Sequence, residues 1–125
     1  YQIRKRNIST VYGLEYYKKI LDYRGVINNH LDNITTPSNI RLFEVTGLGR
    51  VLITDRLAGL NKLFTEDEEI LAYSTMKELK EKIRIVSNDK EYSQYLSSNA
   101  RARTLRDYSI QNRCLKFDNI IKKIG

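Results

Sequence analysis

A single cysteine, Cys114, stands in the 125 residues, so no intrachain disulfide framework braces the chain. Stability must come from a packed core, and a reducing, cytoplasmic setting is the expectation. One histidine, His30, and that one cysteine offer no metal-ligand spacing, so no metal site is expected. The sole proline is Pro37, and no Gly-, Ser- or Pro-rich stretch marks a linker. Residues 1–125 therefore read as a single domain. No segment approaches the roughly 20 apolar residues that span a bilayer. No charged stretch followed by an apolar one opens the chain as a secretory signal would. The Gly-rich phosphate loop ending in Lys-Ser/Thr, the three-glycine dinucleotide turn and the Gly-x-Ser-x-Gly elbow of hydrolases are all missing.

Acidic residues are the scarcer charge: 22 Lys and Arg face 15 Asp and Glu, a net +7. Part of the excess is local. The basic C-terminal helical segment 101–125 carries Arg101, Arg103, Arg106, Arg113, Lys116, Lys122 and Lys123 against Asp107 and Asp118. Such a segment is either a solvated helix face or a surface for an acidic partner, with peripheral contact to an anionic membrane left open. Nucleic acid is not the expected partner, because no recognition motif accompanies the charge. The tyrosines Tyr12, Tyr16 and Tyr17, and Tyr92 and Tyr95, fall at helical spacing, which predicts core packing rather than a stacking platform. The same logic predicts a buried, structural Cys114 beside Ile110, Leu115 and Phe117.

Periodicity orders the elements. Leu14, Tyr17, Ile20 and Leu21 form one face of a helix over 12–23, with Ser9 or Thr10 as its cap. Residues 25–30 read as a buried strand and 31–36 as a loop. Thr36-Pro37 is a helix start, Thr as cap and Pro at the first helical position. Gly47 and Gly49 end that helix. The β-branched run 50–54 reads as a central strand with Asp55 at its end. A short helix over 57–64 and a strand over 69–73 follow. Thr75-x-x-Glu78 is a capping box that opens a helix through Leu79, Ile83 and Val86. Asn88-Asp89 and Ser109 cap two more, the last with Ile110, Cys114, Phe117 and Ile121 on its core stripe. Strands alternating with helices predict an α/β fold: a Rossmann-like parallel sheet with right-handed crossovers and flanking helices. Only three strands are legible where a doubly wound domain has about five or six. With Tyr1 as first residue, the expectation is truncation at the N-terminus. An open sheet edge then makes a homodimer conceivable.

Ligands of open parallel sheets bind beyond the carboxyl ends of the strands. Two junctions lie there, His30 through Thr36 to Asn39 and Thr54 to Gly59. A helix starting at Pro37 leaves the amides of Ser38, Asn39 and Ile40 unpaired toward an anion, with Arg41 one turn in. Glu44 could accept hydrogen bonds from two vicinal hydroxyls, or could pair with Arg41 on the helix surface at i, i+3.

The stretch NIRLFEVTGLGRVLITDRLAGLNKLF (39–64) resembles CgeB-like glycosyltransferases of the spore-maturation type. Arg41, Phe43-Glu44, Gly47, Gly49, Val51 to Thr54, Asp55 and Gly59-Leu60 carry the pattern. Glu69-Ile70 with Tyr73, Glu78-Leu79 with Lys82-Ile83, and Ser109-Ile110-x-x-Arg113 continue it, with Ile110 where the family has an aromatic. The resemblance spans about residues 12–121. It implies the C-terminal half of a GT-B enzyme, two Rossmann-like domains facing across a cleft, without metal or other cofactor. The partner is then a nucleotide-diphospho-sugar, the donor substrate. By the same resemblance Glu44 is the second glutamate of a Glu-x7-Glu motif that holds the donor ribose. Asn39 and Ile40 present amides to the diphosphate, and Thr36 stands where the first glutamate would be. The acceptor site and catalytic base would belong to a missing N-terminal acceptor domain, and this piece alone would be inactive. The donor-binding set is thus Glu44, Arg41, Asn39, Ile40, Ser38, Thr36 and His30. The alternative is a non-catalytic α/β interaction module that binds an acidic partner through its basic C-terminal helices.

Overall fold

A computed structural model describes residues 13–30, 35 and 40–124, with the side chains of Arg113, Lys116 and Phe117 outside that description. The Ser9, Thr10 and Tyr12 expectations and the Thr36-Pro37 helix start lie outside the described residues. The element order is α1 (Leu14–Leu21), β1 (Gly25–Asn28), α2 (Arg41–Gly47), β2 (Val51–Asp55), α3 (Leu60–Leu63), β3 (Leu71–Tyr73), α4 (Met76–Asn88), α5 (Lys90–Asp107) and α6 (Ile110–Ile124). This is the expected alternation. The strands form a small sheet in the order β1-β2-β3, parallel throughout, with Val26 beside Leu52 and Thr54 beside Ala72.

The run Val51-Leu52-Ile53-Thr54 is wholly buried because β2 is central and covered on both faces. Side-chain alternation divides it between two cores. Leu52 and Ala72 pack with Ile20, Leu42, Val45, Leu60 and Phe64, the side of α1, α2 and α3. Val51, Ile53 and Leu71 pack with Val86 and Leu96, the side of α4 and α5. The result is helices on both faces of the sheet. Phe64, fully buried, stacks into a tilted aromatic group with Phe43 and Tyr108, whose hydroxyl donates to the Leu63 carbonyl at 2.8 Å. Burying such a ring contributes about 1.5–3 kcal/mol.

The helix ends follow local chemistry. Gly49 has φ +71, its N–H donates to Thr46 O (3.0 Å), and Arg50 N–H donates to Val45 O (3.2 Å), a Schellman closure of α2. Asp89 and Ser109 each accept an amide hydrogen bond from the residue three ahead, as expected of caps. Thr75 accepts from Glu78 N, but the Glu78 carboxylate turns to Ser74 N at 2.7 Å instead of closing the box on Thr75.

Four expectations about burial need correction. On α1 only Ile20 is buried, while Leu14, Tyr17 and Leu21 are exposed. On α6, Ile110 and Ile124 are each more than four-fifths exposed (81% and 82%), and Ile121 is half exposed. Cys114 is exposed with them, not buried. Of the tyrosines, Tyr16 and Tyr92 pack on the cores, whereas Tyr17 and Tyr95 are exposed. Periodicity marks a face that wants a partner; it does not say that the partner lies within these residues. Among the described residues no helix is long and apolar enough to cross a membrane.

Candidate functional site

Asn28, Asp55 and Tyr73 are the last residues of β1, β2 and β3. Parallel pairing brings all three to one rim, the carboxyl edge of the sheet, where His30 follows β1 by two residues. The group is linked by hydrogen bonds. Asn28, fully buried, donates through Nδ2 to Thr54 Oγ1 at 3.2 Å, and Thr54 donates to Asp55 Oδ1 at 3.1 Å. His30 donates from its backbone N–H to Asp55 Oδ2 at 3.2 Å, and its Nδ1 lies 2.6 Å from Asp55 Oδ1. A carboxylate only accepts, so the proton of this contact sits on Nδ1. That leaves Nε2 as the free atom of the ring. The His30 side chain is 1% exposed, and Nε2 is buried without a hydrogen-bond partner. A buried, unsatisfied ring nitrogen calls for a reason, and a ligand is one.

Tyr73 closes the rim, its hydroxyl donating to Asn28 O at 3.2 Å. Burial, and then the Asp55 charge, push its phenol above the ordinary value of 10.0. It therefore stays a donor across the neutral range. Arg56 locks the next loop. Its guanidinium engages both carboxylate oxygens of Glu66, and it donates to Ser74 Oγ at 2.6 Å and to Glu78 Oε2 at 3.2 Å. The fork geometry suits such bidentate pairing. Beside it the β2–α3 turn, with Gly59 at φ +90, borders a cavity of about 380 Å³ lined by Arg56, Leu57, Asn61 and Glu66.

Of the residues expected from sequence, His30 is at this rim. Arg41 and Glu44 lie in the first turn of α2, which follows β1 and so starts on the same side of the sheet. They reach α1: Arg41 Nε donates to Tyr16 Oη at 3.2 Å, and Glu44 Oε1 accepts from Tyr17 Oη at 3.0 Å. Glu44 thus has a phenol partner across 27 residues rather than only a neighbour on its own helix. Ile40 is exposed and opens the turn. Thr36, Ser38 and Asn39 lie outside the described residues. No hydrogen bond among the described residues joins His30 to Glu44. Sequence reasoning marked Thr54 and Asp55 only as part of the Thr54–Gly59 junction and passed over Asn28 and Tyr73 as site residues. The available signal was polarity at the last position of each apolar strand. Among the described residues no group of His, Cys, Asp or Glu could hold a metal ion.

Comparison with known proteins gives one result. The sequence model of a family described as "Glycosyl transferase-like" matches residues 2–119. No curated protein and no solved structure matches the chain.

Proposed function

The chain belongs to the glycosyl transferase-like family, and on that premise we propose that it is the donor-binding half of a CgeB-like, GT-B type glycosyltransferase. The ligand is a nucleotide-diphospho-sugar, held at the carboxyl edge of the sheet. The transfer breaks the bond between the sugar's anomeric carbon and the diphosphate and forms one to an acceptor hydroxyl. The hydroxyl proton goes to a base on the opposing domain, and the nucleoside diphosphate leaves.

The observation that carries the reading is the His30–Asp55 pair. Asp55 fixes the proton on Nδ1, so in the neutral ring Nε2 offers a lone pair, and a donor hydroxyl would satisfy it. Glu44 accepts a hydroxyl hydrogen bond already, from Tyr17, and would take the ribose hydroxyls in its place. Arg41, with the amides of Ser38, Asn39 and Ile40, would face the diphosphate, whose charge must be stabilised as it departs, while Thr36, where the first glutamate would stand, would lie toward the sugar. The exposed apolar residues of α1 and α6, and the edge of β1, unpaired among the described residues and with Ile27 exposed, support a further domain packed against this one.

The test is calorimetry with uridine- and guanosine-diphosphate sugars on the chain and on its complete reading frame. One of the two should bind, and His30→Ala and Glu44→Ala should each weaken it by roughly ten-fold or more, the loss of one good hydrogen bond. Unchanged affinity in both variants would remove the site assignment.

A further inference from the structure

We propose a second anion site, on the opposite end of the sheet from the donor rim, that takes a short chain of condensed phosphates. Arg24 and Arg50 immediately precede β1 and β2, and parallel pairing sets them side by side, with Val51 N–H donating to Arg24 O at 3.1 Å. Helix α5 runs past them. Lys90, Gln94, Ser97 and Arg101 fall at i, i+4, i+7 and i+11, one stripe of the helix. A rise of about 1.5 Å per residue separates Lys90 from Arg101 by roughly 16 Å along the axis. Together these elements enclose a groove of about 500 Å³, within the range of roughly 300–1,000 Å³ usual for small-ligand sites.

Cations outnumber carboxylates four to one on the lining of the groove. Arg56, Arg103, Arg106, Lys18, Lys82 and Lys122 each pair with a carboxylate. None of Arg24, Arg50, Lys90 and Arg101 forms an ion pair among the described residues, although Asp22 lines the same groove. Arg24 uses one nitrogen on the Val86 and Ser87 carbonyls, both at 2.9 Å, and Arg50 donates to Leu21 O at 2.8 Å and to Gly49 O at 3.5 Å. These contacts aim the guanidinium groups without neutralising them. Arg50 Nε is moreover buried and has no hydrogen-bond partner. Four cations around the groove, with Asp22 the one carboxylate among them, repel one another, and a linear polyanion relieves that repulsion at several points at once. Guanidinium forks favour phosphate oxygens among the available anions, and Ser97 adds a hydroxyl. Asp22 disfavours anions that crowd one end and favours a ligand laid along α5.

The experiment is a titration of the 15N-labelled chain with tripolyphosphate, and in parallel with a nucleoside triphosphate, followed by amide shifts. Shifts should concentrate at Gly49, Arg50, Ser97 and Ser98 for both. Equal affinities would assign recognition to the phosphates alone; tighter nucleoside binding would add Tyr23, at the groove's edge, as a base platform. Lys90→Gln with Arg101→Gln, both at exposed positions that bond to nothing else described, should weaken binding by roughly ten-fold or more. Shifts confined to Asn28, His30 and Asp55, shifts scattered over all exposed lysines and arginines, or affinity unmoved by the double variant would each overturn the proposal.

Discussion

His30 is suspended from Asp55 by two hydrogen bonds, one from the backbone N–H to Oδ2 at 3.2 Å and one from Nδ1 to Oδ1 at 2.6 Å. The pair links the residue two past β1 to the last residue of β2, so the strand register sets the ring position. Two outcomes follow from it. In imidazole 15N spectra the neutral ring should carry its proton on Nδ1, with Nε2 bare. Asp55→Ala should release that tautomer and strand three donors, lowering the unfolding free energy in urea by about 1–3 kcal/mol. A ring protonated at Nε2 in the neutral form would contradict the hydrogen-bond direction drawn here.

Glu44 and Tyr17 give a second, independent handle. The Tyr17 phenol is pushed above 10.0, first by its hydrogen bond to Glu44 and then by the Glu44 charge. Glu44→Gln should therefore bring the Tyr17 ionisation back down toward 10.0, read from labelled tyrosine ring carbons as pH is raised. If Glu44 also holds the donor ribose, Glu44→Ala weakens donor binding while Tyr17→Phe, which frees the carboxylate, does not. Equal loss in both variants would make the pair structural.

Much of the fold was legible because helix and strand periods are local. The run Val51 to Thr54, the Gly47–Gly49 helix end and the Asp89 cap each follow from a few adjacent side chains. What stayed hidden was long-range. The apolar stripes on α1 and α6 were read correctly as stripes, yet Leu14, Ile110 and Cys114 meet water, because amphipathicity does not name its partner. The site was half legible for the same reason. His30 stood out as the sole histidine, and Glu44 by its position on the helix expected to start at Pro37. Asp55 was seen as a strand end within a candidate junction, not as the partner of His30. Its role depends on β1 lying beside β2, a pairing of residues 25 apart that no local pattern encodes. The cations before β1 and β2 were likewise indistinguishable from solvated charges until the sheet set them together.

Glu78 ties acid stability to the loop beside the site. Its carboxyl is held below the ordinary 4.5, first by the Ser74 N–H it accepts; burial opposes this, and the Arg56 guanidinium then adds to the lowering. A carboxyl with a lowered folded pKa binds its proton less readily folded than unfolded. Its contribution is complete above pH 4.5 and disappears as pH falls through the folded value. The melting temperatures of the parent and of Glu78→Gln should accordingly differ at neutral pH and converge below that value. The carboxylate is exposed, so the gap is small and should shrink further with salt. A gap that widened on acidification would mean the group is stabilised protonated, and the hydrogen bond to Ser74 N–H would have to be reassigned.

The two glycines that flank Leu48 should respond oppositely to the same change. Gly47 is the last residue of α2, with ordinary helical backbone, and a Cβ there would meet Thr104 Cγ2 at 3.6 Å, a normal contact. Alanine at 47 removes backbone freedom from the unfolded chain and should stabilise by about 0.4–1 kcal/mol. Gly49 has φ +71, and its Cβ would come within 3.4 Å of Arg101 Cδ. An L side chain in that left-handed conformation costs about 1–2 kcal/mol, and the Schellman hydrogen bonds of Gly49 and Arg50 hold the backbone there. Gly49→Ala should thus destabilise by that amount, while the flexible end of Arg101 moves aside. Equilibrium denaturation of the two single variants decides the matter: like-signed effects would show that the turn, rather than being fixed by its helix closure, relaxes when a methyl group is added.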